Sequence, residues 1–254
     1  MEQLREKTKE INLDLNEEKI EQFNIYYERL VEKNKVMNLT AITEKNEVID
    51  KHFVDSIAIK KVLEKENGIR QSLVGEAIEH NKKIKVLDIG TGAGFPGIPL
   101  KIVYSNWDIT LLDSLNKRIK FLQEVVEELE LPFVELLHGR AEDYAKQKEY
   151  RGQYDLCVSR AVAHLATLSE YCLPYVKIGG YFISYKSGTV TEELEEAKQA
   201  IGQLGGKVID VVPFSLPDTD IERTFVIIKK VKETPNKFPR KAGLPAKEPI
   251  GYKK

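Results

Sequence analysis

The apolar positions of this chain change period twice. Between residues 16 and 35, Ile20, Phe23, Tyr27, Leu30 and Val31 recur at three- and four-residue spacing, which predicts an amphipathic helix capped by Asn16. After Met37-Asn38-Leu39-Thr40-Ala41-Ile42, a second helical stretch is expected from about 47 to 63, with His52, Asp55 and Ser56 on or near one face. Asn67-Gly68 and His80-Asn81-Lys82-Lys83 are turn-forming, and a further helix fits between them. From Ile84 the pattern becomes short branched apolar runs alternating with helical stretches. Strands are expected at 85–89, 108–113, 133–138, 154–159 and 181–186, and helices at 98–104, 117–129, 142–146, 165–173 and 192–204. This alternation calls for an α/β fold, a doubly wound parallel sheet with right-handed crossovers. Beyond Gly205-Gly206 the rhythm shifts again. Two apolar strands, 207–214 and 224–231, are joined by a Pro217-Asp218 loop too short for a helix, so they pair as an antiparallel hairpin.

The stretch Ile84-Lys85-Val86-Leu87-Asp88-Ile89-Gly90-Thr91-Gly92-Ala93-Gly94-Phe95 joins a buried strand to a turn with glycine at every second position. Glycine tolerates positive φ and lets backbone approach a ligand closely, so this turn reads as a cofactor floor. Its spacing is G-x-G-x-G, not the G-x-G-x-x-G of nicotinamide folds. A parallel sheet that ends in an antiparallel hairpin is associated with S-adenosylmethionine-dependent methyltransferases, an analogy at the level of fold. The chain divides accordingly into a helical extension at 1–66, a methyltransferase domain at 67–231 and a tail at 232–254.

In a doubly wound sheet the ligand lies beyond the carboxyl ends of the strands. Candidates there are Asp88, Gly90, Gly92 and Phe95 after the first strand and Asp113-Ser114-Leu115 after the second. His138-Gly139-Arg140-Ala141-Glu142 follows the third strand and Ser159-Arg160-Ala161-Val162-Ala163 the fourth. Asp113 is placed to accept from ribose hydroxyls, or else to cap the following helix. Ala141 and Glu142 are placed to meet an adenine, or else Glu142 serves the first turn of a helix. Arg160 is expected where substrate and cofactor meet, because arginine is seldom buried without a partner.

Length and charge narrow the classes. With 254 residues, 42% of them apolar, the chain can bury one full core plus an appendage. A formal net charge of −1 announces no global nucleic-acid field, so such a signal must be local. It is local in the tail, where nine basic residues from Lys229 onward face only Glu233 and Glu248 and are interleaved with prolines. That composition reads as an RNA-contacting arm or as a solvated tail. Cys157 and Cys172 lack C-x-x-C spacing and read as simple buried thiols of a reducing, cytoplasmic compartment. No apolar run approaches a membrane span, and scattered His52, His80, His138 and His164 make no metal-ligand cluster.

The reaction is narrowed by what is missing. No Asn/Asp-Pro-Pro-aromatic turn follows the fourth strand, and neither cysteine is poised as a nucleophile. A ring nitrogen with a free lone pair, such as guanine N7, needs neither device, and orientation alone then serves catalysis.

Asn38-Leu39-Thr40-Ala41-Ile42, His52-x-x-Asp55-Ser56, the 87–99 stretch, Asp113-Ser114-Leu115-x-Lys117-Arg118, Arg140-Ala141-Glu142, Ser159-Arg160-Ala161-Val162-Ala163 and Pro235-x-Lys237-Phe238-Pro239-Arg240-Lys241-Ala242-Gly243 occur in order along nearly the whole chain. Together they resemble the bacterial RsmG family, also called GidB, which methylates guanine N7 in a loop of 16S ribosomal RNA. The resemblance implies S-adenosylmethionine as cofactor, with Gly90, Phe95, Asp113, Ser114, Leu115, Ala141, Glu142 and Arg160 at the family's cofactor positions. Arg160 and Lys186 are the candidates to flank the target guanine, and Asn38, His52, Lys186, Lys237, Arg240 and Lys241 the candidates to hold RNA. The expected partner is the small ribosomal subunit, without membrane or metal, and the expected state a monomer. The helical extension reads as a second RNA surface or a lid. Three alternatives stay open: a methyltransferase for another acceptor, an RNA-binding assembly factor without catalysis, and a nicotinamide dehydrogenase.

Overall fold

The computed structural model describes residues 1–63, 69, 83–160 and 162–251. Its first long helix, Glu17–Met37, begins as the sequence predicts, with the Asn16 side chain accepting from the Lys19 amide at 3.0 Å. It ends where Asn38 turns left-handed at φ 49°. A short helix, Glu2–Glu10, precedes it and buries Leu4, too little apolar pattern to be legible in advance. The helix expected over 47–63 is wound in pieces. Lys45–Val48 runs into a π-helical turn, Ile49–Val54, then Asp55–Ile57, and resumes at Lys60–Leu63. The further helix expected between Gly68 and His80 lies, Ile69 apart, outside the described residues.

Seven strands form one sheet: β1 Lys85–Ile89, β2 Asp108–Asp113, β3 Val134–His138, β4 Tyr154–Arg160, β5 Val176–Ser187, β6 Gly206–Ser215 and β7 Glu222–Lys230. Their order is β3-β2-β1-β4-β5-β7-β6. The first five are parallel to one another, and β7 inserts antiparallel between β5 and β6. The doubly wound sheet with a terminal hairpin is therefore what the chain folds into. β5 starts earlier than the 181 expected from sequence, because the strand runs through Gly179-Gly180 as a bulge, where the pairing with β4 slips between Tyr154 and Leu156.

Alternation along each strand sorts its side chains to two faces. Val86, Ile109, Leu111, Leu156 and Val158 join a core with Ile98, Leu100 and Phe121, and the same core takes Phe23, Tyr26, Leu30 and Phe53 from the helical extension. The extension thus shares its core with the sheet. Leu87, Ile89, Leu112, Cys157 and Phe182 face the other way, onto the Leu165–Cys172 and Thr191–Gln203 helices. Cys157 and Cys172 are both buried free thiols there.

The tail is not the solvated alternative, because it is anchored to the domain. Phe238 and Ile250 belong to the second core. Arg151 reaches back to the carbonyls of Thr234, Pro235 and Phe238, and Thr167 donates to the carbonyl of Pro245. Prolines prevent a regular ladder here, and side chains from the domain satisfy the backbone instead.

Candidate cofactor and RNA site

The carboxyl ends of β1 to β4 open onto a cleft of about 400 Å³. Its floor is the glycine turn, where Gly90, Gly92 and Gly94 hold φ of 70°, 63° and 103°. A Cβ on Gly90 would meet Val162 Cγ2 at 2.5 Å, whereas one on Gly92 would meet nothing nearer than the Gly90 carbonyl oxygen at 4.0 Å. The turn is supported from below by Tyr26, whose hydroxyl donates to the Ala93 carbonyl at 2.5 Å.

Asp88 stands apart from the role expected of it. It does not line the cleft. In β1 it shares the face of Val86, so its carboxylate points toward the Gly97–Val103 helix, accepting from Gly97 N at 2.9 Å and from Thr91 Oγ1 at 2.7 Å. Its other oxygen is buried without a hydrogen-bond partner among the described residues, and burial raises its pKa to about 6. Asp88 braces the turn from behind.

The other strand ends converge. Asp113 is buried and lines the cleft, with Oδ2 accepting from Gly92 N at 2.9 Å and Arg118 Nη1 at 3.1 Å, and Oδ1 from Leu115 N at 2.9 Å. Ser114 lines the cleft beside it. Leu115 does not: its amide donates to Asp113, its carbonyl accepts from Arg118 N at 2.9 Å, and its side chain is exposed. After β3, Ala141 and the buried Glu142 line the cleft, and Glu142 Oε1 accepts from Gly243 N of the tail at 2.8 Å. Arg118 and Val162, noted in the sequence only as parts of longer stretches, and Tyr171, not noted at all, complete these walls. They sit on or before helices, and only the folded packing turns them inward.

The opposite wall comes from the helical extension. Leu39, Thr40 and His52 line it together with Phe95 and Arg160. The His52 ring stacks on Phe95 with centroids 4.4 Å apart and planes inclined by 16°. Arg160 lies over the same phenylalanine, its guanidinium carbon 5.1 Å from the ring centroid, and pairs with Asp55 at 3.0 Å. Arg223 takes the other Asp55 oxygen at 3.1 Å. Burial, aided by the Arg160 charge, lowers the His52 pKa to about 3, so its ring is neutral.

The proposed RNA contacts are spread over separate places. Asn38 caps the Glu17–Met37 helix and is exposed at the edge of the cleft segment. Lys186 is not among the residues that line the cleft; its ammonium is held by Glu193 at 2.5 Å and the Ala163 carbonyl at 3.0 Å, so an internal ion pair competes with a target base for it. Arg240 is engaged likewise: its guanidinium and amide grip Glu170, whose side chain is 1% exposed, so this arginine is an internal partner rather than an RNA contact. Lys237 and Lys241 are exposed. Among the described residues, no helix is long and apolar enough to cross a membrane and no group of three or more His, Cys, Asp or Glu could hold a metal ion.

The family model described as rRNA small subunit methyltransferase G, GidB, matches residues 19–222. The chain belongs to that family. Ribosomal RNA small subunit methyltransferase G of Lachnoclostridium phytofermentans is 55% identical over 244 residues, covering 96% of this chain and 95% of the relative. The protein of the same name from Clostridium botulinum strain Loch Maree is 50% identical over 247 residues, covering 97% of each. For this member of the GidB family the matched span contains all four strand ends of the cleft, while the tail that holds Glu142 lies beyond it.

Proposed function

We propose that this chain transfers the methyl group of S-adenosylmethionine to N7 of a guanine in a loop of 16S ribosomal RNA. The observation that carries the reading is the pairing, across one cleft, of a positive-φ glycine turn with the buried carboxylates Asp113 and Glu142, inside the span that defines the family. The cofactor fits these residues: two acceptors suit ribose hydroxyls and an adenine amine, and Gly92 leaves its side toward the cleft open. Asp113 would hold the ribose, Ala141 and Glu142 the adenine, and Gly90, Gly92 and Phe95 the methionine part. When bound, S-adenosylmethionine supplies a methyl group activated on a sulfonium.

The chain's own contribution is orientation. Guanine N7 carries a lone pair and no proton, so no residue has to remove one at that atom. Cys157 and Cys172 lie in the core, off the cleft, and neither serves as a nucleophile. Fixing the base in line is worth up to ~7–11 kcal/mol. A loop guanine can be splayed out of its stack and read at its edge, which the A-form groove prevents. Asp55 lies between two guanidinium groups, Arg160 and Arg223, and the unit retains a positive charge beside the cleft that suits an RNA backbone. Lys237 and Lys241, exposed on the tail, offer a second set of positive charges to the RNA. The small ribosomal subunit is the partner, the chain acts as a monomer, and its compartment is the cytoplasm.

Transfer of labelled methyl from S-adenosylmethionine onto naked rRNA, small subunits and whole ribosomes, with the product nucleoside mapped, tests this reading. N7-methylguanosine at one site is expected. A methyl on another base identifies a different acceptor, and tight RNA binding without transfer leaves only an assembly role.

A further inference from the structure

Glu142 sits on a helix of only four residues, Ala141–Tyr144, which has no side-chain cap. A single turn carries little stability of its own, so the direction of this carboxylate is set from outside. Two distant residues set it. The Tyr175 hydroxyl donates to the Ala141 carbonyl at 2.6 Å, and the Gly243 amide donates to Glu142 Oε1 at 2.8 Å. Gly243 is itself held on both sides. Before it, Arg240 gives Glu170 its main-chain amide at 2.7 Å and its guanidinium at 2.6 Å; after it, the Pro245 carbonyl accepts from Thr167 Oγ1 at 3.1 Å. The remaining oxygen of Glu142, Oε2, accepts no hydrogen bond from the described residues, and Glu142 lines the cleft. One oxygen is tied to the tail and the other is left to a ligand.

We infer that the tail is a positioning element of the cofactor site: the Gly243 amide fixes the Glu142 carboxylate so that Oε2 accepts from the exocyclic amine of the adenine. This rests on the placing of adenine at Glu142 given above. An N–H donated to a carboxylate is a charge-assisted bond, strong enough to favour one side-chain direction. A carboxylate already turned toward its partner loses less freedom when the amine arrives, so tail seating and cofactor binding favour each other. Linkage makes this reciprocal: whatever factor the seated tail adds to cofactor affinity, bound cofactor adds to tail seating. Selectivity follows as well, because an ionised carboxylate only accepts and so rewards the 6-amine of adenine over a 6-oxo purine. Gly243 lies beyond residue 222, where the family span ends, so residues outside that span finish the pocket.

The test titrates the full chain calorimetrically with S-adenosylhomocysteine and with its 6-deamino analogue, whose purine keeps N1 but lacks the amine. Wild type should bind the amine-bearing ligand roughly tenfold tighter, the worth of a hydrogen bond to a charged acceptor. Gly243→Pro deletes the donated N–H and should bring that ratio near one by weakening S-adenosylhomocysteine alone. Gly243→Ala keeps the N–H; its Cβ would meet nothing within 4 Å, although its φ of 81° is strained, and the ratio should stay as in wild type. Hydrogen exchange at the Gly243 amide needs no variant: S-adenosylhomocysteine should slow it several-fold more than the analogue does. Equal weakening of both ligands by Gly243→Pro, a ratio unchanged by it, or equal protection of the amide by both ligands overturns the positioning role. A wild type that binds both ligands alike removes the adenine amine from Glu142, and with it the reading on which the role depends.

Discussion

Two glycines two positions apart in one turn answer to different constraints. Gly90 needs both its φ of 70° and the absence of a Cβ against Val162, so Gly90→Ala should cost about 1–3 kcal/mol of stability, measured by urea unfolding. Gly92 has the strained φ but open space, so Gly92→Ala should cost only ~1–2 kcal/mol while weakening cofactor binding more than RNA binding in equilibrium titrations. Equal effects at the two positions would refute this division. Asp88 gives a pH signature. Between its ordinary 3.8 and about 6, the folded chain keeps the proton that the unfolded chain releases, so wild-type stability falls with rising pH relative to Asp88→Asn and levels off above about 6. His52 acts oppositely, being neutral when folded and protonated when unfolded between about 3 and 6.5, so comparison with Asp88→Asn at each pH isolates the aspartate. Parallel pH profiles would show Asp88 ionised in the fold. Asp113 and Glu142 were legible because strand ends mark the ligand side of such sheets. Asp88 was misread because a strand-end position does not say which face its side chain takes; the alternation that puts Leu87 and Ile89 on one face sends Asp88 to the other.

At the scale of elements, the tail changes most between sequence and structure. Proline and lysine content describes its local conformation, but its anchors lie far away: Arg240 meets Glu170 70 positions back, and Gly243 meets Glu142 101 positions back. Arg240→Ala would leave the Glu170 carboxylate buried without its partner and should lower stability by about 3–5 kcal/mol. Adding Glu170→Gln should recover part of that loss, because the stranded charge is gone. A fully additive pair in denaturant unfolding would argue against a coupled ion pair. The π-helical turn at Ile49–Val54 was likewise invisible, since residues that read as one continuous helix can be wound with an extra residue per turn, and it is from this turn that His52 reaches the cleft.

For the whole molecule, strand and helix order was legible because buried parallel strands and amphipathic helices have different periods, and the hairpin because its loop is short. The shared core of extension and sheet was not, since it depends on which faces meet. The balanced total charge leaves RNA attraction to local groups. Lys237→Ala with Lys241→Ala should therefore flatten the salt dependence of RNA binding, each phosphate contact contributing about 0.7–0.9 to the log–log slope, without lowering the unfolding midpoint. An unchanged slope would remove the tail from the RNA surface.

The clasp between Gly243 and Glu142 also sets an order of events in time. A chain is made from its amino terminus, and every strand of the sheet is synthesised before the residues that seat on Arg151, Glu170 and Glu142. The Glu142 side of the cleft is therefore the last part of the pocket to be completed, after the residues of all seven strands have been made.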